Sequence, residues 1–281
     1  DLDKRGNKDE LIYHMSKSGK QNEAVEYLII SSKEMQEKNL FNQAIQFLEQ
    51  AFFIVNKNHD FKRRLEISLK LGDLYFLIGS YDKCEKYYKE AQTIATVHEE
   101  TILLIDVYIN MVRLNYKMGN IKELLKYSKK ARTEIIQIGY QNGLYDLIIA
   151  MSDLMIYRRK SRFCIKIVEK LLEGIDVKDK YYYGMFMCIY GRALRSKDFF
   201  KESEDALRKG IDALKDLGDS EGLASALNAM GTIYSEYYND IEKAKNYFEK
   251  VLNVCQRINN VNYMMYSYNN LGEMCRIQSK L

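Results

Sequence analysis

The 281 residues are 47% hydrophobic and 29% charged, with 43 basic against 39 acidic side chains, which describes a folded chain with a large core and a net charge too small (+4) to call for a nucleic acid. Proline and tryptophan are both absent, so no proline interrupts helices and a loop-rich β-sandwich is not expected. No apolar run approaches the ~18 residues of a membrane-spanning helix, and no secretory signal is recognisable, so no membrane partner is expected.

Apolar residues recur at helical spacing, as in Leu103, Val107, Met111 and Leu114. The pattern predicts an all-α chain of about fourteen helices, over residues 8–18, 21–37, 40–57, 60–78, 81–97, 100–118, 121–139, 142–160, 163–175, 181–196, 200–217, 220–237, 241–258 and 261–279. Between the first two stands Ser16-Lys17-Ser18-Gly19-Lys20. A phosphate-binding loop needs a glycine five residues before the Gly-Lys pair and a Ser or Thr after it. His14 and Gln21 occupy those places, so a turn is expected instead. Further turns fall at Gly79-Ser80, Gly119-Asn120 and Asn239-Asp240.

The chain repeats itself. Leu71-Gly72-Asp73-Leu74-Tyr75 is followed by Cys84, Tyr88 and Ala91. Met230-Gly231-Thr232-Ile233-Tyr234 is followed by Ala244 and Phe248, and Tyr190-Gly191 by Ser203 and Leu207. Anchors at Ser32, Gly72, Val112, Met155, Gly191, Gly231 and Gly272 give a period near 40 residues. Small residues, Gly72, Gly191, Gly231 and Gly272 on first helices and Ala44, Ala91, Ala131 and Ala244 on second helices, let two helices approach closely. Tyr75, Tyr234 or Phe248 fills the space beside the contact. The copy between Met155 and Gly174 lacks such small residues. One hairpin cannot bury its apolar face alone, so neighbours must stack.

These residues resemble the tetratricopeptide repeat (TPR) family across essentially the whole chain, most sharply over 65–131 and 184–281. The resemblance implies a right-handed superhelical α-solenoid in one array of six full hairpins, with an unpaired helix at either end. The proline that closes many such repeats is missing from every copy. The long period is closer to the TPR regions of bacterial regulators than to the short co-chaperone type. Leu11-Ile12-Tyr13-His14-Met15, Gly19 and Glu23-Ala24-Val25-Glu26-Tyr27-Leu28 resemble a junction that leads from the ATPase module into the repeats in bacterial signal-transducing ATPases. With Asp1 in first place and no partner for the last helix, a fragment of a longer multidomain protein is expected.

Other chemistry is sparse. Cys84, Cys164, Cys188, Cys255 and Cys275 show no metal or redox spacing and sit among apolar neighbours, so buried thiols of a cytoplasmic protein are expected. His14, His59 and His98 lie far apart, and no nucleophile–base pair can be assigned. No metal, cofactor or enzymatic activity is expected. The basic runs Lys62-Arg63-Arg64 and Arg158-Arg159-Lys160-Ser161-Arg162 suit helix ends, and nucleic acid is not the expected partner. Ser279-Lys280-Leu281 matches a peroxisomal address, and for an expected fragment the match is expected to be accidental.

In TPR proteins the first helices line a concave groove. The resemblance therefore implies a ligand face made of Arg113, Tyr116, Arg159, Arg192, Arg195, Asn228 and Asn269. The four arginines make its middle basic and, as exposed side chains, contribute little to folding. The two asparagines form an amide ladder toward an extended peptide. Two readings stay open: a non-enzymatic module binding a protein or peptide segment, with acidic segments favoured, or a sensor whose groove takes a small inducer or signalling peptide. A homo-oligomer is compatible with both.

Overall fold

The computed structural model describes residues 20–58, 60–218, 220–258 and 260–279, which form thirteen α-helices and one 3-10 turn with no strand among them. In chain order these are α1 (Gln21–Glu37), α2 (Phe41–Asn58), α3 (Phe61–Leu77), α4 (Tyr81–Val97), α5 (Thr101–Lys117), α6 (Ile121–Ile138), α7 (Gln141–Tyr157), α8 (Ser161–Leu172), α9 (Lys180–Arg195), α10 (Phe200–Leu214), the 3-10 turn Lys215–Leu217, α11 (Glu221–Glu236), α12 (Ile241–Arg257) and α13 (Val261–Gln278). The helix expected over 8–18, the loop-like residues 16–19, the first half of the ATPase-like junction, His14, His59 and the final Lys280-Leu281 lie outside the described residues.

The class is all-α. The chain divides into two compact units, Asp1–Gly143 and Leu144–Leu281. The pairs α1–α2, α3–α4 and α5–α6 of unit 1 and α9–α10 and α11–α12 of unit 2 are hairpins, and within each unit neighbouring hairpins pack on one another.

Local chemistry sets the helix ends. Asp60, Asn120, Asp179, Ser220, Asp240 and Asn260 each accept a hydrogen bond from the backbone N–H three residues on, satisfying a donor that the helix leaves open. Each hairpin turn contains one residue in the left-handed region: Asn39, Gly79, Gly119, Arg159, Asp198 and Asn239. Five of the six are Gly, Asn or Asp, which adopt that conformation at low cost.

These turns correct the register of the fourth copy. The left-handed residue falls seven positions after Ser32, Gly72, Val112 and Gly191, and eight after Gly231. Seven positions before Arg159 stands Ser152, not Met155. Ser152 is small and buried, so this hairpin does carry the small contact residue, and Cys164 supplies its fully buried partner on α8.

At three anchors a side chain from the second helix occupies the space a Cβ would need: Tyr88 at Gly72, Leu207 at Gly191 and Phe248 at Gly231. Ala44, Ala91, Ala131 and Ala244 are fully buried at the same helix contacts. Gly272 departs from the pattern, with nothing within 4 Å. In unit 1 the core includes Leu48, Leu65, Leu71, Ile105 and Leu124. In unit 2, Phe186, Ile189, Cys164 and Val168 join α7, α8 and α9. Leu227, Met230, Val251 and Val254 join α11 and α12.

One polar device occurs twice. In unit 1 the Tyr75 and Tyr87 hydroxyls donate to Glu49 Oε1 at 2.7 and 3.3 Å, and the two rings stack at 5.6 Å. In unit 2 Tyr234 donates to Glu204 at 2.8 Å and stacks on Tyr247 at 5.4 Å. Lys83 and Lys243 lie over the rings of Tyr75 and Tyr234. In each case a carboxylate of one hairpin holds a phenol of the next.

Candidate functional site

With Ser152 as anchor, the position one residue after each anchor carries Asp73, Arg113, Asp153, Arg192 and Thr232. Opposite charges therefore stand on successive first helices. In unit 2 the Arg192 guanidinium reaches across to both neighbours. Its Nη1 donates to Asp153 Oδ1 on α7 at 2.6 Å and to Ser225 Oγ on α11 at 2.8 Å, while Nη2 lies 3.4 Å from Ser152 Oγ. Tyr263 on α13 stands close enough to Arg192 and Ser225 for both to act on its phenol. Three first helices are thus joined by hydrogen bonds, with Tyr263 of a fourth beside them.

Arg192 is 18% exposed and Asp153 42%. Burial is the largest influence and opposes the arginine's charge, but Asp153, Tyr263 and Cys188 together outweigh it and hold the guanidinium above its ordinary pKa. Burial also raises the Tyr263 phenol, against the pull of Arg192. Arg192 Nε and Arg195 Nε are both buried without a hydrogen-bond partner.

The expected basic middle of this face is accordingly corrected. Arg192 is held by Asp153, and Arg195 Nη1 lies 3.7 Å from Glu236 Oε2. Arg159 is not on a helix face at all; it is the exposed left-handed residue of the α7–α8 turn. The amide ladder exists with a different member: Asn270 Nδ2 donates to Asn228 Oδ1 at 3.0 Å, and Asn269 is exposed. Asp153, Ser225, Tyr263 and Asn270 were not anticipated. Adding 40 residues to Val112 leads to Ser152, and so to Asp153, from the sequence alone.

Unit 1 carries a related cluster. Tyr88 donates to Asp73 Oδ1 at 2.7 Å, Asn110 Nδ2 lies 3.4 Å from the same oxygen, and Arg113 Nη1 donates to Asn110 at 3.4 Å. Burial raises the Asp73 pKa, while Tyr88 and Arg113 restrain the rise. Tyr116, one turn further along α5, is half-buried.

The thiols follow burial. Cys84, Cys164, Cys188 and Cys255 are buried, but Cys275 is exposed, against expectation, because its side of α13 is uncovered. Burial pushes the Cys84 and Cys188 thiols up to about 12 and Cys164 up to about 11. His98 stacks on Phe61, with ring centroids 3.6 Å apart. Among the described residues, no three His, Cys, Asp or Glu side chains are placed to hold a metal ion. No helix among them is long and apolar enough to cross a membrane.

Helix pairs of this length, packed small residue against large and repeated every 40 residues, are the architecture of repeat proteins of the tetratricopeptide class. Residues 65–98 and 224–257, which form most of α3–α4 and α11–α12, match the model of the tetratricopeptide repeat family, and these two hairpins are tetratricopeptide repeats. No curated protein matches the sequence. Among solved structures, the chain is similar to a Pyrococcus horikoshii Signal Transduction ATPase with Numerous Domains protein with a tetratricopeptide repeat sensor (TM-score 0.58, 15% identity, 88% of this chain and 37% of that one). It is also similar to aspartyl phosphate phosphatase F of Bacillus subtilis (TM-score 0.67, 17% identity, 83% and 60%). A third is the Rap conjugation gene regulator of plasmid pLS20, in complex with the Phr* peptide (TM-score 0.68, 14% identity, 92% and 76%). This chain spans only 37% of the first relative and 60% of the second. At these identities the likeness is one of fold.

Proposed function

We propose that the chain is a non-enzymatic module that binds a protein or peptide segment on the polar face of its first helices, within a cytoplasmic regulator of the bacterial signalling kind. The observation that carries this reading is the row Asp153–Arg192–Ser225–Tyr263 with the Asn228–Asn270 pair beside it. Such a row offers donors and acceptors to an extended backbone while its own charges are balanced. Support comes from the Rap regulator of similar fold, whose structure holds the Phr* peptide. Four buried free thiols suit a reducing compartment. Because the arginines are paired, the ligand need not be acidic; backbone hydrogen bonding dominates.

The test is to pan a displayed random-peptide library against the wild-type chain and against the Asn228→Ala/Asn270→Ala double variant. Peptides enriched on the wild type should weaken at least tenfold on the variant. Failure to enrich any peptide, or equal affinity for both proteins, overturns the proposal. The second reading, a sensor for a small inducer, is favoured by the neighbour described as having a tetratricopeptide repeat sensor. It predicts thermal stabilisation by metabolite extracts with no peptide enriched.

A further inference from the structure

The hairpin turns of unit 2 differ from those of unit 1 in a way the peptide reading does not use. Residues 157–163 read Tyr-Arg-Arg-Lys-Ser-Arg-Phe. Tyr157 is 76% exposed and Phe163 57%, and Arg158, Arg159, Lys160 and Arg162 between them are all exposed. Among the described residues none of these four cations pairs with a carboxylate, whereas Arg63, Arg64, Arg192, Arg195, Arg208 and Arg276 do; Arg113 and Arg132 are single unpaired arginines, not members of a run.

Arg159 is also the one hairpin-turn residue in the left-handed region that is not Gly, Asn or Asp. An arginine there costs on the order of 1 kcal/mol that a glycine would not. Among the described residues no hydrogen bond or ion pair of the Arg159 side chain compensates that cost.

The surface continues onto the next turns. The Ser161 and Ser196 hydroxyls lie 2.6 Å apart, which brings the α9–α10 turn, with Lys197 and the 52% exposed Phe199, against the basic one. Phe200 then stacks on Tyr237 of the α11–α12 turn at 4.5 Å, and Tyr238 stands edge-on to Tyr237 at 4.9 Å. Three successive turns therefore present exposed rings. In unit 1 the corresponding turns expose aliphatic residues such as Leu40, Ile78 and Met118. The exposed carboxylate of the middle turn is Asp198, so positive charge is concentrated at the α7–α8 end.

We propose that this edge of unit 2 binds single-stranded nucleic acid. Arg158, Arg159, Lys160 and Arg162 would take phosphates, with the arginine forks donating in pairs, and Tyr157, Phe163 and Phe199 would stack bases. A polynucleotide strand is the ligand that uses both halves of this chemistry. An acidic peptide satisfies the cations and leaves the rings in water. A membrane surface asks for an apolar face, and the residues one and two turns in from Phe163 are the exposed Lys166 and Lys170. The near-balanced charge of the whole chain argues against nucleic acid only as an average; the local distribution decides association.

The experiment is fluorescence anisotropy of the 281-residue chain with labelled oligo(dT) and oligo(U) of about 12 nucleotides, across a salt series. Both strands should bind, with affinity falling as salt rises; a preference of one over the other identifies DNA or RNA as the natural source. Arg158→Ala/Arg162→Ala should reduce the log–log salt slope by about 1.4, since each lost phosphate contact removes about 0.7. Tyr157→Ala/Phe163→Ala should weaken binding at least about thirtyfold at every salt concentration with the slope unchanged, since each lost stack removes about five- to hundredfold. Arg159→Gly should bind more weakly while its Tm is equal or higher, a result that separates lost binding from lost folding. The proposal is overturned by no single-strand binding at low salt, by a duplex of equal length binding as tightly, by slopes unmoved in the arginine variant, or by poly-glutamate or anionic vesicles displacing the strand at equal charge.

Discussion

Arg192 Nη1 stands 2.6 Å from Asp153 Oδ1, and these residues occupy the same repeat position on successive first helices, 39 residues apart. The hydrogen bond is therefore made by the stacking of hairpins rather than within one. In unit 1 the corresponding positions hold Asp73 and Arg113, where Tyr88 and then Arg113 restrain the rise that burial imposes on the carboxylate's pKa. In unit 2 the repeat has placed opposite charges on neighbouring first helices and paired them.

The first prediction concerns that pair. Arg192→Met removes the donor to Asp153 and Ser225 and should cost about 1–3 kcal/mol in urea denaturation. Asp153→Asn, at a more exposed side chain that keeps an acceptor, should cost less than about 1 kcal/mol. The double variant should be less destabilised than the sum. Loss in Arg192→Met no larger than in a surface variant such as Lys201→Met would remove the row from the stability of unit 2.

Glycine anchors offer a second test. A Cβ at Gly231 would lie 2.6 Å from Phe248 Cε1, so Gly231→Leu must displace a buried ring and should cost roughly 1–3 kcal/mol. Gly272 has open space, and Gly272→Ala should be neutral or stabilise α13 by up to about 1 kcal/mol. Thermal unfolding of the two variants should move in opposite directions or by clearly different amounts.

The amide pairing can be decided by truncation. Asn270→Ala leaves Asn228 without its partner and should cost about 1 kcal/mol, while Asn269→Ala, exposed, should stay within about 0.5 kcal/mol. The reverse ranking in chemical denaturation would restore Asn269 to the ladder.

Stability should also depend on pH through the Glu204 cluster. Burial raises the Glu204 pKa, but donors from Tyr234, Tyr238 and Arg208 outweigh it, and the folded value lies below the ordinary one. The unfolded chain then binds the proton more readily. This contribution is fully present above pH ~4.3, the ordinary glutamate value, and is lost as pH falls through the folded pKa. Glu204→Gln should flatten that acid limb. Tyr234 is shifted the other way, pushed up to about 12 by burial and by Glu204, so its contribution holds below pH 10 and disappears as pH rises through about 12. Tyr234→Phe should flatten the alkaline limb. Acid and alkaline titrations of unfolding free energy check both signs.

From sequence alone, the all-α class, the hairpin unit, its 40-residue period and most helix ends were legible, because each depends on neighbours within a turn or two: apolar spacing, a small residue facing a large one, an Asn or Gly at a turn. What the sequence did not decide were relations between hairpins. Met155 and Ser152 compete as anchor because three residues along a helix keep nearly the same face; the 40-residue period favours Ser152, and the left-handed turn at Arg159 decides for it. The arginines were expected to be free because their partners, Asp153 and Glu236, lie 39 and 41 residues away. Asn270 replaced Asn269 because one residue rotates a side chain by about 100°, and which of two adjacent amides meets Asn228 depends on how α11 and α13 are rotated about their own axes. That rotation is set by the packing of whole helices. The sequence determined which helices form and pair; only tertiary packing decided which charges and amides meet across them.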